Sequence, residues 1–155
     1  MYKINNIKMI VKNKKASYEY ELLDDFVSGI VLVGTEIKSI RLGKASIADS
    51  YCAFQGDELF LLNSHIDEYE FGNRYNHEPR RQRKLLLKKK ELSKIRKKVK
   101  EKGFTIIAKN MFINEKGLCK VTICIAKGKN TYSKKEHIKE RDIKRDTDKI
   151  LKSYK

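Results

Sequence analysis

The chain has no tryptophan, a single proline and only three cysteines among its 155 residues. It contains no run of 18 apolar residues, so no membrane-spanning helix is predicted. The first twenty residues also lack an apolar segment of signal-peptide length. Few cysteines, and an odd number of them, argue against a disulfide-stapled secreted fold, and we expect a reducing, cytoplasmic compartment.

The cysteines show no pattern typical of a metal site. Cys52, Cys119 and Cys124 have no C-x-x-C spacing, and the three histidines are scattered over different segments. In a strand, Cys119 and Cys124 would point to opposite faces, because they are an odd number of positions apart. We therefore predict no metal and no other cofactor, and we interpret the cysteines as reduced thiols packed in or near a core.

What the chain has in excess is positive charge, +16 overall, and two segments carry it. Residues 80–102 hold thirteen Lys and Arg against two Glu, and residues 128–155 hold ten basic against five acidic residues. Residues 1–79 are slightly acidic. Charge of one sign repels itself, so such clusters are usually kept for a partner of opposite sign. The clustering, with a pI of about 9.7, favours a surface that binds a polyanion.

Among polyanions, nucleic acid suits the basic segment 80–102 better than a lipid surface does. A helix that lies on a membrane presents bulky Trp or Phe opposite its basic side. This segment offers only Leu, Ile and Val, in a strip that suits packing on a protein core. We therefore expect RNA or DNA as a partner and no membrane.

Alternating and β-branched segments predict about six short antiparallel strands. "SYEYELL" places Tyr18, Tyr20 and Leu22 on one face, and "FVSGIVLVG" indicates a more buried strand in which Gly29 marks a bulge or a close approach. "SYCAF" and "ELFLLN" form a hairpin around "QGD", and "FTIIAKNMFIN" and "GLCKVTICIAKG" are joined at "EKG". The pattern predicts a mainly β fold with short helices (α+β), an OB-like antiparallel β-barrel over residues 1–127.

The segment "GTEIKSIRLG" predicts a short helix after the second of these strands. Thr35 can cap its N-terminus, Ile37 and Ile40 share a face, and Gly43 stands where a left-handed C-terminal residue is expected. The cations that project from this segment form a plausible phosphate site: Lys38, Arg41 and Lys44.

A second helix is predicted near residues 88–102. Leu85, Leu92, Ile95 and Val99 recur at heptad-like spacing, and the rest of the circumference is basic. Gly103 provides the stop.

From Gly128 the composition changes, and residues 128–155 are predicted to form a basic tail. Its few apolar residues cannot make a stripe that would anchor a helix. Ser133 and Glu136 nevertheless form a capping-box pair, and Glu140 and Lys144 stand in favourable i,i+4 order. We expect the tail to be disordered when free and helical when bound, because isolated helices of this length are marginal. A solvated tail without a role is the alternative.

No set of residues supports a catalytic assignment. The best candidate is His65 with Asp67, Glu68 and Glu70 nearby, a group that polar loop edges also produce. No phosphate-binding glycine-rich loop is present. Cations on a barrel and a helix suit folded RNA, contacted through phosphates and 2′-hydroxyls. A generic ribosomal or tRNA-binding module, and a metal-dependent RNA-processing enzyme centred on His65 and Asp67, stay open as alternatives.

Three segments, in this order, resemble the SsrA-binding protein (small protein B) family, the bacterial partner of transfer-messenger RNA. They are "GIVLVGTEIKSIRLGKASIADSY", "LLNSHIDEYEFGNRYNHEPRRQRKLLL" and "AKGKNTYSKKEHIKERDIKRD", and the similarity runs from about Asn13 to Asp146. The resemblance implies an OB-like β-barrel and an adaptor without catalytic residues. It also implies a function in trans-translation, the rescue of ribosomes stalled on messages that lack a stop codon.

The resemblance further implies which residues meet the tRNA-like domain of the RNA. They are Tyr20, Gly34, Thr35, Glu36, Ile37, Lys38, Ser39, Arg41, Lys44, Asn76, Pro79, Arg81, Arg83, Lys84 and Leu86. Leu85 and Leu87 we assign to packing.

For the tail, the resemblance implies entry into the vacant messenger channel and the decoding centre of the small ribosomal subunit. There the tail would replace codon–anticodon pairing and fold into a helix. Its implied contact residues are Lys127, Gly128, Lys129, Tyr132, Lys134, Lys135, Lys139, Arg141 and Arg145. Elongation factor Tu and alanyl-tRNA synthetase would be partners only through the shared RNA.

The chain departs from the family pattern in a few places. Ser133-Lys134-Lys135 replaces the usual Asp-Lys-Arg, Asn130 replaces a second Lys, and Val27 replaces a frequent Glu. The change at Lys135 loses the bidentate fork of an arginine. The lysines of residues 89–102 exceed what the resemblance requires. We hypothesise that this segment adds non-specific contact with ribosomal RNA, which charge-neutralising changes at Lys94, Lys97 and Lys98 would test through ribosome affinity and its salt dependence.

Overall fold

The computed structural model describes residues 8–128, which contain nine strands and three α-helices. The strands are β1 (Lys8–Lys12), β2 (Tyr20–Ile30), β3 (Ala45–Ser46), β4 (Tyr51–Gln55), β5 (Glu58–Leu62), β6 (His65–Ile66), β7 (Arg83–Leu86), β8 (Phe104–Ile113) and β9 (Cys119–Gly128). The helices are α1 (Ala16–Glu19), α2 (Gly34–Arg41) and α3 (Lys89–Val99), and Asn73–Tyr75 form a 3-10 turn.

Six of the strands close into a ring. Their antiparallel order is β8-β4-β5-β7-β2-β9, and β9 pairs again with β8. The strand β1 pairs with the C-terminal half of β8, and β3 with β6 forms a small separate sheet. Closure removes the exposed strand edges that an open sheet would present. The predicted antiparallel, OB-like fold of about six strands with short helices is confirmed.

The interior of the ring follows from the period-two pattern of β9. Val121, Ile123 and Ile125 are at most 1% exposed and belong to the main core. Cys124 points the other way, into a second small cluster with Ile107. Burial raises the pKa of Cys124 to about 11, so this thiol stays protonated at neutral pH. All three cysteines are buried free thiols, as predicted.

The close approach predicted at Gly29 is present between β2 and β7. A β carbon at Gly29 would lie 3.2 Å from the Cβ of Leu86, its partner on β7. A side chain at this position would push the two strands apart, and the ring closes through this pairing.

The helix α3 covers one end of the ring with its apolar strip. Ile95 is fully buried, and Leu92 and Val99 pack against the main core. The prediction that Leu85 belongs to this strip is wrong, because Leu85 is a buried residue of β7. The helix ends at Val99, and Gly103, with φ of 90°, reverses the chain before β8.

The segment predicted as a strand around Tyr18 divides into two elements. Ala16–Glu19 form one helical turn that contains Tyr18, and β2 begins only at Tyr20. The turn buries Ala16, 4% exposed, in the cluster with Ile107 and Cys124. Tertiary packing of a small residue therefore overrides the local alternation. From Tyr20 onward, the two strands predicted in "SYEYELL" and "FVSGIVLVG" form one continuous strand, β2, which ends at Ile30.

The helices α2 and α3 lie at opposite ends of the ring. The strand β2 leads into α2, whereas its antiparallel partner β7 runs the other way and leads into α3. At the α3 end, the guanidinium of Arg96 donates to the carbonyl of Gly56 in the turn between β4 and β5. The two basic helices therefore face different directions.

Candidate nucleic-acid interface

Three exposed cations lie on α2 and the turn that follows it. They are Lys38, Arg41 and Lys44, and we call them the α2 face. Gly43, with φ of 74°, ends the helix as predicted, and its N–H donates to the carbonyl of Ile40 over 2.9 Å. The N–H of Lys44 donates to the carbonyl of Ser39 over 3.0 Å, which keeps Lys44 beside the last helical turn.

The N-terminus of α2 is held differently from the prediction. Thr35 does not cap the helix. The N-cap residue is Val33, whose N–H donates to Oε1 of Glu36 over 2.9 Å. The hydroxyl of Thr35 lies 2.8 Å from Nδ1 of His77, whose Nε2 lies 2.9 Å from the carbonyl of Ile66. Because a carbonyl only accepts, Nε2 carries the proton and Nδ1 accepts from the Thr35 hydroxyl. This chain of bonds ties α2 to the loop between β6 and β7.

A buried ion cluster fixes α2 on the barrel. The side chains of Glu36 and Arg83 are 0% exposed, and Nε of Arg83 lies 2.5 Å from Oε2 of Glu36. Arg81 reaches the other carboxylate oxygen through Nη2 over 2.5 Å. Arg83 also donates to the hydroxyl of Ser64 over 2.8 Å and to the carbonyl of Pro79 over 3.0 Å. We call Glu36, Arg81 and Arg83 the Glu36 clamp.

The pKa of Glu36 shows that the hydrogen bonds to its carboxylate stabilise the buried negative charge. Burial would raise this pKa, but hydrogen bonds from Arg81, from the Val33 amide and from Arg83 outweigh burial and hold it below its ordinary value. A carboxylate whose pKa is lowered by folding stabilises the fold above its unfolded pKa, about 4.3 for Glu. That contribution is lost as the pH falls through the lower, folded pKa.

We therefore expect the free energy of unfolding to fall below about pH 4, and to fall less steeply in Glu36→Gln. Urea unfolding of both proteins between pH 7 and pH 3 measures this dependence. Glu58→Gln, which removes an exposed carboxylate, is the matched control. Identical pH profiles for wild type and Glu36→Gln would contradict the prediction.

Three of the predicted contact residues have no exposed side chain. Glu36, Ser39 and Arg83 are each 0% exposed. Buried side chains do not reach RNA directly in this conformation, and Glu36 and Arg83 instead pair with each other against α2. Sequence alone could not separate them from their exposed neighbours, because a charge in a basic segment has the same pattern whether the fold buries it or not.

Asn76 organises the loop beside α2. Its Nδ2 donates to the carbonyl of Tyr69 over 2.6 Å, and its Oδ1 accepts from the N–H groups of Tyr69 and His77 over 3.0 and 3.2 Å. The same loop presents Phe71 and Tyr75, which are 72% and 77% exposed. We call these two rings the aromatic loop. Sequence analysis missed them, although aromatic residues in a polar, irregular segment are a usable signal.

The aromatic loop and the α2 face are neighbours. The Nζ of Lys38 lies 5.4 Å from the ring centroid of Tyr69, which itself meets the ring of Phe71 edge-on at 5.7 Å. Exposed rings beside cations suit unstacked bases and their phosphates.

Other predicted contact residues lie away from the α2 face or are already engaged. Tyr20 starts β2, at the opposite end of that strand from α2, and lines a cavity of about 240 Å³. Lys84 is paired with Glu58 over 2.8 Å on the barrel surface. Leu86 is 50% exposed and borders a groove of about 280 Å³ near Ile37. Leu85 and Leu87 pack in and against the core, as predicted.

The first residues of the predicted tail belong to the last strand of the barrel. Lys127 and Gly128 are the last residues of β9 and pair with Glu21 and Tyr20. The remaining tail residues lie outside the described part of the chain: Lys129, Tyr132, Lys134, Lys135, Lys139, Arg141 and Arg145. The departures at Asn130 and Ser133 lie outside it too.

The two side chains on which the catalytic alternative depends lie together on the surface. Nε2 of His65 lies 2.7 Å from Oδ1 of Asp67, and both side chains are substantially exposed. Within residues 8–128, no group of three or more Cys, His, Asp or Glu side chains is arranged to hold a metal ion. None of the helices in that range has the length and apolar character needed to span a membrane.

Comparison with known proteins identifies similar chains over almost the whole length. The family model described as SmpB protein matches residues 10–153. The chain is 58% identical to an SsrA-binding protein of Flavobacterium psychrophilum over 93% of this chain and 96% of that protein. It is 47% identical to an SsrA-binding protein of Agrobacterium fabrum over 94% of this chain and 91% of that protein.

A solved structure is similar as well. Its description reads "tmRNA-SmpB: a journey to the center of the bacterial ribosome", and the TM-score is 0.68 at 41% identity. The similarity covers 82% of this chain and 92% of the solved chain.

Proposed function

Because the chain belongs to the SmpB protein family, we propose that it is an RNA-binding adaptor for transfer-messenger RNA. In this proposal it binds the tRNA-like domain and delivers the RNA to stalled ribosomes, where trans-translation rescues them and tags the incomplete polypeptides. The observation that carries the proposal is the α2 face, three exposed cations on a helix that the Glu36 clamp holds against the barrel. Rigid placement of cations suits recognition of a folded RNA by its shape.

The proposal divides the predicted contact residues by exposure. Lys38, Arg41 and Lys44 bind phosphates, and the aromatic loop stacks on unpaired bases. Gly34 and Thr35 lie in the first turn of α2 and border this surface. The Glu36 clamp and Asn76 act indirectly, because they hold α2 and its neighbouring loop.

The tail and the compartment complete the proposal. Residues 128–155 occupy the empty messenger channel and the decoding centre of the small subunit, where they become helical. Elongation factor Tu takes part only through the shared RNA. The protein works in the cytoplasm.

Competition binding with full-length protein and with a chain that ends at Gly128 tests the proposal. Labelled tRNA-like domain is challenged with ordinary tRNA and with plain duplex RNA at near-physiological salt. We expect the tRNA-like domain to win by more than about tenfold, or about 1.4 kcal/mol, and the shortened chain to bind it equally well. Equal competition by all three RNAs would favour a generic tRNA-binding module. Loss of affinity without the tail would show that the barrel is not the specific reader.

We also propose that the chain acts without catalysis. Incubation of folded RNA with wild type and with His65→Ala, in the presence of Mg²⁺, should leave the RNA intact in both samples. Cleavage by the wild type that His65→Ala abolishes would overturn this and restore the pair of His65 and Asp67 as an active site.

A further inference from the structure

The outer side of α3 carries cations that neither the fold nor the α2 face uses. They are Lys89, Lys90, Lys97 and Lys100, and we call them the α3 lysines. All four are exposed. Among residues 8–128, none of their side chains forms an ion pair, a hydrogen bond or a contact with an aromatic ring.

Neighbouring cations of the helix behave differently, because they are engaged with the barrel. The Nζ of Lys94 lies 5.8 Å from the ring centroid of Phe26, and the Nζ of Lys98 lies 4.7 Å from that of Phe104. Lys98 also faces Glu101 over 3.5 Å. Of the three lysines chosen from the sequence to test this segment for RNA contact, only Lys97 is therefore unengaged among the described residues.

Two of the α3 lysines are placed where they disfavour the helix itself. Lys89 and Lys90 stand in the first turn, where the helix dipole favours negative charge. Lys97 and Lys100 lie in and just after the last turn, where the dipole favours cations, but they are like charges one turn apart, as are Lys90 and Lys94. A helix that only had to cover the barrel would be more stable with neutral or acidic residues in place of Lys89 and Lys90. An anionic partner removes this repulsion.

The geometry of α3 indicates the kind of anion. At 100° per residue, Lys90 and Lys97 project opposite the strip of Leu92, Ile95 and Val99, and about 10 Å separates them along the axis. The apolar strip is packed on the core and is not available for insertion into lipid. Because the apolar side of the helix is covered, α3 presents only a rigid row of cations to a partner, and such a row suits a phosphate backbone.

We propose that the α3 lysines form a second RNA site, which binds the phosphate backbone of a duplex RNA. Because α2 and α3 lie at opposite ends of the ring, one molecule can hold two RNA segments at once. The site does not depend on the identity of the RNA bound at the α2 face. The lysines recognise the charge and the spacing of the phosphates, so the site binds duplexes irrespective of their sequence.

A triple variant of the full chain, Lys90→Gln with Lys97→Gln and Lys100→Gln, tests the proposal against a plain 20-base-pair duplex RNA. Lys12→Gln with Lys14→Gln and Lys15→Gln is the matched control, since it removes the same charge from three exposed lysines elsewhere. We expect the α3 variant to lose about tenfold or more in affinity, and its log–log salt slope to fall by about 2 to 3. The control should stay within about twofold of wild type. Equal losses in both variants, or an unchanged slope in the α3 variant, would overturn the proposal.

A second measurement shows whether the sites are separate. Labelled tRNA-like domain is first bound to the wild type, and the plain duplex is then added. We expect a ternary complex without displacement, and we expect the α3 variant to keep its affinity for the tRNA-like domain. Displacement of the label by the duplex would mean a single site and would overturn the proposal.

Two further outcomes distinguish the proposals from each other. If the tRNA-like domain does not bind while duplex binding still depends on the α3 lysines, the proposed function fails and the α3 site stands. If anionic phosphatidylserine vesicles, rather than duplex RNA, show the dependence on the α3 lysines, the site is a lipid surface and the RNA proposal is overturned.

Discussion

Replacing Arg83 with methionine should lower the free energy of unfolding by about 3 to 5 kcal/mol. Glu36 would keep its charge inside the protein with only Arg81 to pair it, and the hydroxyl of Ser64 would lose its buried donor. A loss of this size is a large fraction of the total stability of an ordinary domain, about 5 to 15 kcal/mol. Urea unfolding at pH 7 measures it.

The neighbouring residue of β7 provides the matched control. Lys84 is paired with Glu58 over 2.8 Å, but both side chains are exposed, so Lys84→Met should cost less than about 1 kcal/mol. The double variant Glu36→Leu with Arg83→Met should recover part of the loss, because no unpaired charge would stay buried. Equal destabilisation by Arg83→Met and Lys84→Met would show that the Glu36 clamp does not hold α2.

Neutralising the α2 face should reduce affinity for the tRNA-like domain by about 100-fold or more. The triple variant is Lys38→Gln with Arg41→Gln and Lys44→Gln, and hydrogen bonds to charged groups are worth about 1.5 to 3 kcal/mol each. The log–log salt slope should fall by about 2 to 3, since about 0.9 is lost per phosphate contact. Filter binding across a salt series measures both quantities, with the triple variant of Lys12, Lys14 and Lys15 as the control for charge alone.

The aromatic loop contributes by another mechanism and has a different signature. Phe71→Ala with Tyr75→Ala should weaken binding while the salt slope stays unchanged, because stacking releases no counterions. The side chains of the aromatic loop and of the α2 face are exposed, so the midpoint of urea unfolding should stay near that of the wild type in both variants.

Full affinity of the α2-face variant for the tRNA-like domain would contradict the prediction for that face and would move the RNA site elsewhere on the barrel.

Local patterns were enough for much of the fold. The alternation of β9 correctly placed Cys119 and Cys124 on opposite faces, and the hairpin around Gly56 follows from turn residues between two strands. Such features depend on a few consecutive residues, and the period of a strand is fixed by backbone geometry. The helical turn at Ala16 was missed, because its cause is packing against residues far along the chain.

The candidate site was predictable in outline and wrong in detail. The segment of α2 and its three cations were identified, and all three are exposed. Thr35 was assigned to the wrong partner, because its hydroxyl bonds to His77, 42 positions away. Phe71 and Tyr75 were overlooked, although their position in a polar loop was a usable signal; how far each ring is exposed is set by the fold.

The basic, mainly β character of the chain and the concentration of its charge in two segments follow from composition and short-range periodicity, which need no knowledge of the fold. Which of the charged side chains are buried depends on the tertiary structure. Glu36 and Arg83 are 47 positions apart, and they meet because β2, which leads into α2, pairs with β7. Arg83 is buried as a support, whereas Lys38 and Lys97 stay in solvent. Burial depends on long-range contacts, and a linear pattern of lysines and arginines does not contain them.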